Sequence, residues 1–300
     1  MVLEKTLPIL LIFGIGLVLK HVQVLKKEHA PLLGQLIMTV ALPATIVNAL
    51  WATSLSATML LLPEVGLVIA ITLLGMGFLL APLLGLQGKT RGAFLLAFPT
   101  LELGSVGYAV MFAVYGPVGL SQIALIDLGS GFFFFTVIAF LASLLGQPEE
   151  PFRFRHAFMT LVRNPVLWAY GIGIGLHFFH IKSALLSSSL SILAQAFLLL
   201  ILFLIAAECE WKRTSLGAPL VSVYVKMCVG VMVGVGITWA FQLTGTASVA
   251  VVVGASLPAS LMTVVYARKN SLDASFLASM LSVALPISIG LSSLIVLLAH

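Results

Sequence analysis

Three ionisable residues stand where a charge is costly. Glu102, Asp127 and Lys226 each lie within a long apolar segment, 10 to 13 residues from Arg91, Pro117 and Arg213 respectively, or roughly 15–20 Å at about 1.5 Å per helical residue. An unpaired charge at that depth in a bilayer costs about 2.5–3.5 kcal/mol or more, so such groups pair, become neutral or face a wet cavity. Glu102 sits in Pro99-Thr100-Leu101-Glu102-Leu103-Gly104-Ser105-Val106-Gly107, a stretch whose Pro and Gly residues interrupt a helix. A second interruption is Gly254-Ala255-Ser256-Leu257-Pro258-Ala259-Ser260. Broken helices leave N–H groups and a positive dipole end suited to a carboxylate, and carbonyls suited to a cation. Ser105, Ser256, Ser260 and Thr263 would add hydroxyl contacts. The predicted substrate site therefore comprises Glu102, Gly104, Ser105, Gly107, Ser256, Pro258, Ala259, Ser260 and Thr263, with Glu102, Asp127 and Lys226 as coupling residues. A carboxyl in the first break is a candidate to take up and release a proton. Lys226 is expected to neutralise Asp127 or Glu102, either as an exchangeable partner or as a permanent structural ion pair. The plainer account of the two breaks is that Gly and Pro mark kinks and close packing, and of the hydroxyls that they pack between helices.

Ten apolar segments must position these residues: about 3–19, 31–50, 60–86, 92–114, 118–146, 165–181, 185–207, 216–241, 246–266 and 273–299. Lys20, Lys26, Lys27, Lys89, Arg91, Arg153, Arg155, Arg163, Lys212, Arg213, Arg268 and Lys269 fall in the five loops after odd-numbered segments, against Lys5 and Lys182 on the other side. Twelve cations against two put those five loops in the cytoplasm and both termini outside. The segments divide into a first five-helix repeat (1–146), a cytoplasmic linker (147–164) and a second repeat (165–300). Phe13-Gly14-Ile15-Gly16-Leu17 matches Tyr170-Gly171-Ile172-Gly173-Ile174, and the same offset of 157 carries Glu102 onto Ala259. Five segments per half require the repeats to have opposite orientation, and corresponding breaks in inverted repeats point to a transporter site. The expected fold is an all-α membrane protein of ten transmembrane helices in two inverted repeats, with helices four and nine discontinuous.

Composition agrees. The 300 residues are 61% hydrophobic and 8% charged, whereas soluble chains are near a quarter charged. The start Met1-Val2-Leu3-Glu4-Lys5 lacks a basic n-region and a cleavage site, so the first segment is expected to remain as a span. Net charge is +5, which the loop cations explain without a nucleic-acid partner. Within the linker, Pro148-Glu149-Glu150-Pro151 precedes Phe152-Arg153-Phe154-Arg155-His156-Ala157-Phe158, which reads as a basic amphipathic segment on the membrane surface. Cys209 and Cys228 suit packing better than a disulfide or metal site. His177 and His180 lack a third ligand and, beside Phe178 and Phe179, read as an interfacial belt. Glu208, Glu210, Trp211, Lys212 and Arg213 read as a solvated helix end, and Phe132–Phe135 as lipid-facing or packing residues. No phosphate loop, zinc-protease signature or Ser/His/Asp arrangement supports ATP drive or hydrolysis, so an enzyme is not expected.

Gly16-Leu17-Val18-Leu19-Lys20, Leu36-Ile37-Met38-Thr39-Val40-Ala41-Leu42-Pro43-Ala44, Gly104-Ser105-Val106-Gly107-Tyr108, Arg163-Asn164-Pro165, Lys226 and Leu257-Pro258-Ala259 together resemble the auxin efflux carrier family, which includes plant PIN transporters and bacterial carboxylate permeases. The resemblance runs along the whole chain in short apolar pieces. It implies a fold shared with bile-acid and sodium/proton transporters, in which helices four and nine unwind and cross. Helices 1, 2, 6 and 7 would form a scaffold and helices 3, 4, 5, 8, 9 and 10 a moving core, with a homodimer through the scaffold. The chain departs from the family's pattern at the first break, where the family commonly has an Asn and a later Pro and this chain has Glu102 and Ala109.

The expected function is that of a secondary active transporter of a small organic anion, a carboxylate above all, working by alternating access with a moving, elevator-like core. Proton coupling through Glu102 is the preferred form, with sodium coupling and a membrane-embedded ligand sensor as alternatives. No cofactor beyond a bound proton or sodium ion is expected. The expected partners are the substrate and membrane lipid, and the expected location is a bacterial inner membrane.

Overall fold

A computed structural model of the chain describes residues 2–53, 56–147, 154–208 and 217–299. It is all-helical, with no strand among the described residues. Helix occupies each of the ten apolar segments. The order is α1 (Val2–His21), α2 (Ala30–Leu36) continuing through a π-helical turn (Ile37–Ala41) into α3 (Leu42–Ala52), α4 (Ala57–Leu83) and α5 (Gly88–Ala97). A second π turn (Leu103–Gly107) leads into α6 (Tyr108–Phe133), and a third (Phe134–Ile138) into α7 (Ala139–Leu145). Then come α8 (Phe154–Val162), α9 (Pro165–Phe178), α10 (Ala184–Glu208), α11 (Gly217–Ala240), α12 (Gly245–Ser256), α13 (Met262–Lys269) and α14 (Ala274–Leu298).

Six helical runs among the described residues are long and apolar enough to cross a bilayer: Ala30–Ala52, Thr58–Leu83, Leu103–Leu145, Ala184–Ala207, Gly217–Ala240 and Ala274–Leu298. Shorter apolar helices are Leu11–His21, Pro165–Phe178 and Gly245–Ser256. The 43-residue run Leu103–Leu145 would be roughly 65 Å if straight, about twice the hydrocarbon thickness. It is not straight. Gly116 has φ 61° and ψ −147° and is followed by Pro117, a backbone state that only glycine adopts without strain next to a residue that cannot continue a helix. The arms on either side fold back along each other: a Cβ at Gly119 would come within 2.5 Å of both the Met111 carbonyl oxygen and Tyr115 Cβ.

Lipid as solvent explains the exterior. Large apolar side chains such as Leu83, Leu185 and Trp239 stand exposed on the outside, where water would penalise them and acyl chains do not. Inside, small residues bring backbones together, as expected where packing rather than the hydrophobic effect drives helix association. Gly129 of α6 lies directly against the Pro63 carbonyl of α4, and Gly66 of α4 against the Ile126 carbonyl of α6. Any Cβ at either position would overlap that carbonyl.

Of the linker 147–164, Pro148–Arg153 lie outside the described residues, and α8 carries the exposed Phe154 and Phe158 with rings stacked 6.5 Å apart. Cys209, Glu210, Trp211, Lys212 and Arg213 also lie outside the described residues. Cys228 faces outward, so it does not pack between helices as expected. His177 and His180 join no metal-binding cluster among the described residues, and Phe178 and Phe179 are exposed in an edge-on pair.

Candidate functional site

The first break lies between α5 and the second π turn, at residues 98–102; the second lies between α12 and α13, at residues 257–261. The two touch. The Glu102 N–H donates to the Pro258 carbonyl (3.0 Å), the Ser260 N–H to Thr100 Oγ1 (3.2 Å), and the Thr100 and Thr263 hydroxyls lie 3.1 Å apart. Backbone groups freed by one break are thus partly satisfied by the other, which is how irregular backbone survives away from water.

Glu102 is buried, and both of its oxygens are engaged. Oε1 accepts from the Ser105 hydroxyl (2.6 Å) and Oε2 from the Leu261 N–H (2.7 Å) at the start of α13. A carboxylate at a helix N-terminus sits on unpaired donors and the positive dipole end. The carboxyl of the first break therefore caps the half-helix of the second.

Lys226 of α11 does the converse. Its Nζ, fully buried, donates to the Phe98 and Thr100 carbonyls at 2.7 and 2.8 Å and stands 5.6 Å from the centre of the Phe98 ring. These are the carbonyls that the end of α5 leaves unpaired. The expected pairing of Lys226 with Asp127 or Glu102 is not formed: the ammonium finds carbonyl dipoles instead, which offer it acceptors without a second buried charge.

Asp127 has other partners. Its Oδ2 lies 2.6 Å from the Tyr108 hydroxyl, which lies 2.9 Å from the Tyr170 hydroxyl of α9, and Tyr170 donates to the Ala124 carbonyl (2.8 Å). Tyr108 and Asp127 are 19 residues apart and would be roughly 28 Å apart on one straight helix. The turn at Gly116 is what joins them.

A cavity of about 350 Å³ opens beside the crossing. Glu102, Gly104, Ser105, Asp127 and Ser260 line it, with Thr100, Ser130, Asn164 and Tyr170 as further polar contributors. Its apolar wall is Ile37, Met38 and Leu42 on one side and Phe132–Phe135 on another. All three π turns reach it, through Ile37, Ser105 and Phe134; such turns are recurrent at functional sites. Among the described residues, no Lys, Arg or His side chain lines it.

The remaining predicted residues stand behind this surface. Gly107 packs against Leu257 and Ile123, Ser256 bonds the Val253 carbonyl, Pro258 and Ala259 adjoin Lys226, and Thr263 is buried against Thr100. Sequence reasoning missed Tyr108, Tyr170, Thr100 and Asn164. The Gly-Tyr pairs Gly107-Tyr108 and Tyr170-Gly171 were visible as motifs, but nothing local says that two phenols 62 residues apart meet.

A helical bundle with apolar surroundings and a polar cavity at two broken, touching helices is the build of a membrane transport protein. Residues 1–297 match the model of the family described as "Membrane transport protein". The chain belongs to that family, the auxin efflux carrier family. Similar proteins include an uncharacterized transporter of Methanothermobacter thermautotrophicus, 25% identical over 282 residues (92% of this chain, 91% of that protein). An uncharacterized transporter of Methanocaldococcus jannaschii is 24% identical over 288 residues (92% of each). The chain is a transport protein and not an enzyme.

Proposed function

We propose that the chain is a secondary active carrier of a small organic anion, a carboxylate above all, coupled to protons through Glu102. The observation that carries this reading is the position of the Glu102 carboxylate. It occupies the Ser105 hydroxyl and the Leu261 N–H beside the cavity, the donors a substrate carboxylate would take. Side chain and substrate compete for them. A proton on Glu102 turns an anion into a neutral group, weakens its hold on the two donors and lets the substrate displace it, so a proton and an anion move together.

The site of Lys226 favours protons over sodium. The carbonyls that would suit a cation already hold its ammonium. The cavity walls favour alternating access, because one side comes from α2, α3, α9 and α10 and the other from the two breaks, α6, α13 and the two later π turns. In this reading these are scaffold and core in a ten-span inverted repeat. Its wall includes Gly34 and Asn164, near the loops that the cation census assigns to the cytoplasm, which supports reading the cavity as open to the inside.

A second reading has one observation in its favour: among the described residues, two carboxyl groups and no cationic side chain line the cavity, which with the phenylalanine wall suits a small organic amine. Uptake into proteoliposomes under imposed pH and sodium gradients separates these possibilities. The anion reading expects uptake of a carboxylate driven by inward protons, unaffected by sodium, and a Glu102→Gln variant whose uptake ignores the pH gradient. Gradient dependence unchanged in Glu102→Gln removes Glu102 as the coupling group; competition by amines but not carboxylates establishes the second reading; saturable binding without counterflow makes the chain a sensor.

A further inference from the structure

We propose that Asp127 is a second proton-binding site, separate from Glu102, and that its proton completes a hydrogen-bond relay tying the arm of α6 that carries it to α9.

Counting hydrogens carries the argument. The relay has three oxygen–oxygen contacts: Asp127 Oδ2 to Tyr108 (2.6 Å), Tyr108 to Tyr170 (2.9 Å) and Tyr170 to the Ala124 carbonyl (2.8 Å). The last member is a carbonyl and can only accept; an ionised carboxylate can likewise only accept. Two phenols then supply two hydrogens for three contacts. With Asp127 ionised, either the two phenol oxygens or Tyr170 and the Ala124 carbonyl face each other lone pair to lone pair. A proton on Asp127 removes the conflict: Asp127 donates to Tyr108, Tyr108 to Tyr170 and Tyr170 to the carbonyl, each hydroxyl donating once. The contacts of 2.9 and 2.8 Å leave no room for a water between the facing oxygens, so the missing bond is not replaced there, and an unmade hydrogen bond in such a place is costly.

Beyond the relay, the Ser130 hydroxyl lies 3.5 Å from Asp127 Oδ1, at the outer limit of a hydrogen bond, which leaves the relay to set the proton. The titratable groups facing Asp127 are Tyr108 on the arm of α6 before Gly116, Tyr170 of α9 and, across the cavity, Glu102. On the other helices packed against α6, Glu64 of α4 and His21 of α1 are exposed, Lys20 of α1 donates to the Ala207 carbonyl (2.8 Å), Glu4 and Lys5 stand in the first turn of α1, and Glu208 is the last residue of α10. α3, α12 and α14 carry no ionisable side chain. Asp127 itself lines the cavity, which gives the proton a way in. Resting on the carrier reading for its meaning in transport, the relay joins moving core to scaffold: protonated, it holds the state described; deprotonated, it loses a link and frees the core to move.

Infrared spectroscopy of the purified full chain reads the proton directly. A protonated carboxyl C=O band present at neutral pH should be lost in Asp127→Asn and kept in Glu102→Gln. Raising the pH from about 5 to about 9 should remove that band in the wild type and lower the melting temperature over the same interval. Tyr170→Phe should abolish that fall, because Tyr108 alone then satisfies an ionised Asp127. A band that persists in Asp127→Asn, a wild-type melting temperature flat with pH, or a fall undiminished in Tyr170→Phe each overturns the proposal. Should Asp127→Asn not fold, Tyr170→Phe decides alone. The Glu102→Gln transport assay is separate, so either idea can fail without the other.

Discussion

At the scale of single residues, the two half-helix ends at the crossing are each met by a charge from elsewhere in the chain. Lys226 serves the carbonyls after α5 and Glu102 the N-terminus of α13. Removing the ammonium in Lys226→Ala leaves two buried carbonyls unsatisfied, at about 1–3 kcal/mol each. A marked fall in melting temperature is expected, and sodium chloride should restore part of it in the variant while leaving the wild type unchanged. Equal responses to sodium in both proteins would show that the ammonium does not occupy a cation's place. The carboxylate at Glu102 makes the complementary case, since Ser105→Ala removes a charge-assisted bond of about 1.5–3 kcal/mol. Half-saturation for a transported carboxylate should rise roughly tenfold or more in Ser105→Ala, as the same hydroxyl serves side chain and substrate.

At the scale of elements, the backbone devices are local and testable one at a time. Gly116 reverses the chain between the two arms of α6; Gly116→Ala places a Cβ in a conformation that costs about 1–3 kcal/mol, expected as a lower melting temperature and poorer yield of monodisperse protein. Gly129→Ala drives a methyl into the Pro63 carbonyl and should cost at least the about 1–3 kcal/mol of an overpacked core, because backbone cannot yield as a side chain does. The start of α14 is held differently. Asp273 accepts from the Phe276 N–H (2.9 Å) and from the Thr90 hydroxyl (2.8 Å), capping its own helix and fastening it to α5. Asp273→Ala should cost about 1 kcal/mol for the lost cap, with Asp273→Asn retaining most of it; a melting-temperature comparison of the two separates cap from charge.

At the scale of the whole molecule, orientation is the property on which the others depend. From the cation census the loop at Lys89 is expected inside and the loop at Lys182 outside. In a background with Cys209 and Cys228 replaced by Ser, a membrane-impermeant thiol reagent applied to intact cells should label Lys182→Cys and not Lys89→Cys. The reverse pattern would invert the chain and make the cavity face outward. Whichever way it lies, the cavity sits between elements from both halves of the sequence, so neither half alone contains the site.

The segmentation of the chain was legible in the sequence because it obeys local rules: apolar length, cations at loops, and Pro and Gly where a helix cannot continue. Hence the two breaks and the presence of Glu102 in the first of them could be read from residue types and spacing. Which side chains meet was not legible. Membrane helices are apolar nearly all round, so they show no amphipathic face that says which side turns inward. Lys226 had a carboxylate as its obvious partner, yet the packing of α11 places it on carbonyls 126 and 128 residues away in sequence. Ser105, Ser256, Ser260 and Thr263 looked equivalent by composition; only the packing of the two breaks and their half-helices turned Ser105 and Ser260 to the cavity and Ser256 and Thr263 away from it. The relay from Asp127 to Tyr170 required the reversal at Gly116 and the seating of α9 at once. The sequence by itself determined where helix must start, stop and break, since those are contests between neighbouring residues. Tertiary structure alone decided what each break faces, since that is a contest between surfaces that distant parts of the chain supply.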